Sequence, residues 1–91
     1  MTFQLGRAPN EVQLGSFAQQ VLDTVGRYTA FPWPIYSVQC QRLGIDPGQL
    51  TSAELGRVAK NIATGVARFT SQEKGEKLLV ELIRLSGGLK G

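Results

Sequence analysis

The chain contains no histidine and a single cysteine, Cys40, in 91 residues. Histidine is the side chain that most often serves as general acid or base near neutral pH, and it is the commonest metal ligand. One cysteine without histidine assembles neither a zinc site of the usual Cys/His kind nor an internal disulfide. No metal and no cofactor are therefore expected. A lone thiol suits a reducing compartment, so the expected localisation is cytoplasmic. Acidic residues are also few. The seven that occur are scattered along the chain, and no two of them nominate themselves as a catalytic pair, so an enzyme is not expected. Long apolar runs are missing too: nothing approaches the ~18–20 residues that span a bilayer, and no membrane segment is expected. The opening stretch, MTFQLGRAPNEV, has neither the basic nor the apolar region of a secretory leader.

What is present suits a small globular protein. Hydrophobic residues make up 42% of the chain and charged residues 19%, outside the disordered range. The length predicts one domain over residues 1–91. A net charge of +3 is compatible with an anionic partner but falls far short of a nucleic-acid-binding tail.

Periodicity and punctuation predict an all-α bundle of about four helices, over residues 10–29, 34–43, 51–69 and 71–86. Residues 1–8, with alternating Phe3 and Leu5, read as a short extended arm, and 87–91 as a flexible tail. The first helix is predicted to start at Asn10, which suits a cap, with Gln13 at the third helical position. Leu14, Phe17, Ala18, Val21, Leu22, Val25 and Tyr28 then give one apolar face. The opposite face (Gln13, Ser16, Gln19, Gln20, Asp23, Thr24, Arg27) is polar and nearly uncharged. Gly44 suits the position just past the end of the second helix, whose apolar face is Ile35, Val38 and Leu43. Thr51-Ser-Ala-Glu54 and Thr70-Ser-Gln-Glu73 both read as capping boxes, opening the third and fourth helices.

Between the first two helices lies FPWPIY, residues 31–36, holding two of the chain's four prolines. Proline lacks an amide donor and disfavours helical geometry in the residue before it, so this is a corner, with Pro34 opening the second helix. Phe31, Trp33 and Tyr36 are candidate anchors for a partner, because Trp and Tyr dominate interface energetics. The competing reading is that they plug the end of the core.

The third helix separates into three faces at 100° per residue. Leu55, Val58, Ile62, Val66 and Phe69 form a large apolar stripe expected to be core. Gly56, Ala59, Ala63 and Ala67 form a small-residue stripe suited to close helix packing, either within the chain or in self-association. Glycine inside a helix costs about 1 kcal/mol relative to alanine, so Gly56 and Gly65 need a compensating contact. Arg57, Lys60, Asn61, Thr64 and Arg68 form a third arc without an acid. Joined by Arg42, it is the candidate nucleic-acid surface. The fourth helix is self-neutralised by Glu73/Lys77 and Lys77/Glu81 at i, i+4.

The stretch VQCQRLGIDPGQLTSAEL places Cys40, Gly44, Leu43, Ile45, Leu50 and Ala53 in the spacing of a helix-turn-helix. Against that motif, its exposed second-helix positions carry no Arg or Lys, and the Thr51 cap stretches the connection beyond 3–4 residues. Two functions therefore stand as expectations. The first is a non-enzymatic regulatory or adaptor module that binds protein and self-associates. The alternative is a helix-turn-helix-like DNA- or RNA-binding protein using the third helix.

Overall fold

Proline, glycine and side-chain caps delimit the described helices. The computed structural model describes residues 14–87. Among them lie four α-helices, α1 (Ser16–Val25), α2 (Pro32–Arg42), α3 (Ser52–Phe69) and α4 (Gln72–Leu85), with a 3-10 turn at Pro47–Gln49. The arrangement is the all-α bundle expected from periodicity. The expected arm, the cap at Asn10 and the tail beyond Gly87 lie outside the described residues.

α1 is shorter than predicted at both described ends. Gly15 is the N-cap, in extended backbone (φ -62°, ψ 161°), and its amide donates to the Gly48 carbonyl at 2.9 Å. A tertiary bond to the 3-10 turn thus takes residues 14–15 out of the helical rhythm. At the other end the chain closes through Arg27 N–H to the Thr24 carbonyl (3.1 Å) and Tyr28 N–H to the Val25 carbonyl (3.0 Å). These i→i−3 bonds tighten the last turn and release the chain four residues earlier than expected.

α2 starts at Pro32, not at Pro34. Both prolines sit in its first turn, where backbone amides have no intrahelical acceptor, so neither ring removes a bond. Its end is a Schellman closure: Ile45 N–H donates to the Cys40 carbonyl (2.9 Å) and Gly44 N–H to the Gln41 carbonyl (3.1 Å). Gly44 has φ +71°, the left-handed geometry that favours glycine there. Asp46 then caps the 3-10 turn by accepting from Gly48 N–H at 2.8 Å.

The Thr51 capping box forms as expected, with Thr51 Oγ1 accepting from Glu54 N–H (3.2 Å) and Glu54 Oε1 from Thr51 N–H (3.1 Å). The second cap is displaced by one residue. Ser71 caps α4 by accepting from Lys74 N–H at 3.2 Å, while the Thr70 hydroxyl donates back to the Val66 carbonyl at 2.7 Å. Thr70 is still turned towards α3, so the next hydroxyl takes the cap.

The core draws on all four helices, with Val21, Val25, Tyr36, Cys40, Leu55, Val58, Ile62, Val66, Leu78 and Leu82 wholly buried. α3 and α4 share the largest contact, and α2 packs against α3. Both contacts depend on missing side chains. A Cβ on Gly75 of α4 would lie 2.7 Å from Ala67 Cβ and 2.9 Å from the Ala63 carbonyl oxygen, and one on Gly65 would lie 2.9 Å from Ile35 Cγ2. Phe69 departs from the predicted core stripe. It is the last residue of α3 and 74% exposed.

Candidate functional site

Four large hydrophobic residues are exposed among the described residues: Phe31 (44%), Val38 (41%), Phe69 (74%) and Val80. Three of them, Phe31, Val38 and Phe69, line one open groove of about 540 Å³ between α2 and the end of α3. The placement follows from helix geometry. Phe31, Pro34, Ile35, Val38 and Arg42 recur at three- and four-residue steps, so they lie along one face of α2 and its N-cap. Gly65, Arg68 and Phe69 supply the α3 wall. Gly65 makes the floor shallow, because the missing side chain lets Ile35 approach the α3 backbone.

The rim of this groove has one sign of charge. Arg42 and Arg68 are its only ionisable lining residues, and both are exposed. The ion pairs among the described residues lie elsewhere, at Arg27–Glu81 (3.1 Å) and Lys77–Glu73 (3.0 Å).

The expected aromatic anchors divide. Phe31 is exposed on the groove. Trp33 is half-buried against the core, its ring centroid 6.0 Å from that of Tyr36 at a tilt of 54°. Tyr36 is wholly buried, with its hydroxyl donating to the Pro47 carbonyl. Tyr36 is therefore a core residue that ties α2 to the 3-10 turn, and it presents nothing to a partner. Periodicity alone places Phe69 and Val38 on buried faces. Their exposure depends on which helices pack against those faces, for which a single sequence carries no signal.

The polar arc of α3 is solvent-facing throughout. Arg57, Lys60, Asn61, Thr64 and Arg68 are all exposed, and the Thr64 hydroxyl donates to the Lys60 carbonyl at 2.9 Å. Lys60 and Arg68 share a shallow α3–α4 groove with Glu76, so the positive arc has an acid beside it. Of the small-residue stripe, Ala59 and Ala63 are buried, Ala67 meets Gly75, and Gly56 is exposed with nothing within 4 Å of a Cβ built on it. The link between α2 and α3 spans residues 43–51 and contains the 3-10 turn. It is longer than a helix-turn-helix connection, and Ala53, one of the positions that motif buries, is exposed.

Titratable groups in the interior are tuned away from neutral-pH chemistry. Burial pushes the Cys40 thiol up to about 11 and raises the Tyr36 phenol well above its usual range. The Tyr28 phenol, at the α1–α4 junction, is raised by its hydrogen bond to the Glu81 carboxylate. Among the described residues no three His, Cys, Asp or Glu side chains gather as a metal-binding group. No described helix is long and apolar enough to cross a membrane. No protein-family model, curated protein or solved structure matches the chain.

Proposed function

We propose that this protein is a small non-enzymatic regulatory or adaptor module that binds another protein through the α2–α3 groove. The observation that carries this reading is the gathering of Phe31, Val38 and Phe69 on one concave surface. Isolated exposed apolar residues are ordinary, but a contiguous apolar patch with a polar rim is the usual mark of a binding surface. A free, buried thiol at Cys40 fits a reducing setting such as the cytoplasm.

The test is affinity capture from the native lysate with the wild-type protein and with Val38→Ser/Phe69→Ser, each checked for helicity by circular dichroism. Proteins retained by the wild type and lost from the folded variant support the reading. Identical capture by both removes the groove from it. Light scattering of the same two proteins reports self-association. Binding to nucleic acid through α3 predicts a different result: retention on heparin that falls steeply with salt and disappears in Arg57→Glu/Lys60→Glu.

A further inference from the structure

We infer that the occupant of the α2–α3 groove is an acidic amphipathic segment of a partner protein, with apolar side chains on Phe31, Val38 and Phe69 and carboxylates at Arg42 and Arg68. The inference rests on the protein-binding reading above and adds the chemistry of the partner. Charge complementarity carries it. Phe31, Pro34, Ile35, Val38 and Phe69 make most of the lining apolar, Gln39 adds one neutral polar side chain, the only charges are two exposed cations, and no acid lines the groove. Neither arginine is engaged in an ion pair or hydrogen bond among the described residues. An apolar segment with flanking Asp or Glu would satisfy both arginines, and Arg pairs with carboxylates in bidentate geometry.

The shape agrees with a short helix. From Phe31 to Arg42 the α2 wall rises about 16 Å, or about three helical turns, at 1.5 Å per residue. A partner of that length presents two or three anchors at i, i+3/i+4 and i+7, which is how helices read such grooves.

Other occupants fit less well. In a two-fold pair of this chain joined through the groove, each copy would offer the same lining of two arginines and no acid, so the paired grooves would supply no carboxylate to either arginine. A single nucleic-acid strand would satisfy the cations and could stack on Phe31 and Phe69. It would leave the aliphatic stretch of Pro34, Ile35 and Val38 without an apolar counterpart.

The test is selection of a displayed random 16-residue peptide library against the immobilised wild-type protein at physiological salt. Recovered peptides are then measured by fluorescence anisotropy. The expected peptides combine at least two apolar residues at helical spacing with net negative charge. Their affinity should fall at least tenfold in Arg42→Glu/Arg68→Glu and at least tenfold in Val38→Ser/Phe69→Ser, while circular dichroism is unchanged. A parallel selection against Arg42→Glu/Arg68→Glu should recover basic peptides instead.

Neutral or basic peptides from the wild type, or binding that survives the arginine reversal but not Val38→Ser/Phe69→Ser, would overturn the acidic partner and leave the groove standing. Binding indifferent to Val38→Ser/Phe69→Ser would overturn the groove itself. Recovery of no peptide would overturn the proposal. So would tight binding of single-stranded oligothymidine that is lost in Val38→Ser/Phe69→Ser, or a light-scattering dimer that the same substitutions dissolve; the first would assign the groove to nucleic acid and the second to another copy of the chain.

Discussion

Cys40 shows how burial alone sets the behaviour of a residue. It is wholly buried beneath Tyr36 and the closure of α2, and its thiol is raised from 9.0 to about 11 chiefly by desolvation. The thiolate is the reactive species, so an inert native thiol follows. Ellman's reagent at pH 8 should label Cys40 only after denaturant is added, with a rate that follows global unfolding. The same shift sets a pH dependence. The folded state holds the thiol proton more tightly than the unfolded state, so this contribution is fully present below pH 9 and is lost as pH rises towards 11. Of order 2 kcal/mol disappears by pH 11. Urea midpoints measured from pH 8 to 11 should fall accordingly, and the slope should flatten in Cys40→Ala. An unchanged slope in that variant would assign the alkaline loss to the tyrosines.

At the scale of elements, the helix contacts are set by glycines whose roles differ by position. Gly56 and Gly75 both lie inside helices, and both are predicted from propensity to cost about 1 kcal/mol relative to alanine. Open space surrounds Gly56, whereas a Cβ on Gly75 meets Ala67 and the Ala63 carbonyl below 3 Å. Gly56→Ala should therefore stabilise the protein by up to about 1 kcal/mol. Gly75→Ala should destabilise it by about 1–2 kcal/mol, the overpacking cost exceeding the propensity gain. Urea denaturation with unchanged m-values would measure both. If the two substitutions acted alike, the close α3–α4 approach at Gly75 would be wrong. The contrast also explains the small-residue stripe. Ala59, Ala63 and Ala67 are accounted for by contacts within the chain, and Gly56 is not.

For the whole molecule, the question is which apolar residues hold it together and which remain on its surface. Ile62 and Phe69 fall on the same stripe of α3 by periodicity, yet Ile62 is wholly buried and Phe69 is mostly exposed. Ile62→Ala should cost about 2–5 kcal/mol, a large share of the ~5–15 kcal/mol that holds a domain folded. Phe69→Ser should stay within about 0.5 kcal/mol of the wild type, as surface substitutions do. Thermal and urea melts of the two variants would separate a core residue from a binding residue. A large loss in Phe69→Ser would mean that Phe69 is needed for the fold and would weaken the groove as a surface kept for a partner.

Local chemistry was enough to specify much of this protein. The hydrophobic period defined α3, Thr51 and Glu54 made its capping box, the second Thr-Ser-x-Glu marked the start of α4 to within one residue, and Gly44 stopped α2 where its left-handed geometry allows. Each of these depends on neighbours within a few residues, which one sequence contains in full. Tertiary contact decided the rest. The bond from Gly15 to Gly48 delays the start of α1, and the Pro47 carbonyl draws the Tyr36 hydroxyl, and with it the ring, into the core. The candidate site was least legible of all. The sequence pattern places Arg42 and Arg68 on one basic surface and Phe69 in the core, yet they line the same groove. A period shows which side of a helix a residue occupies, but only the packed neighbours decide whether that side is covered.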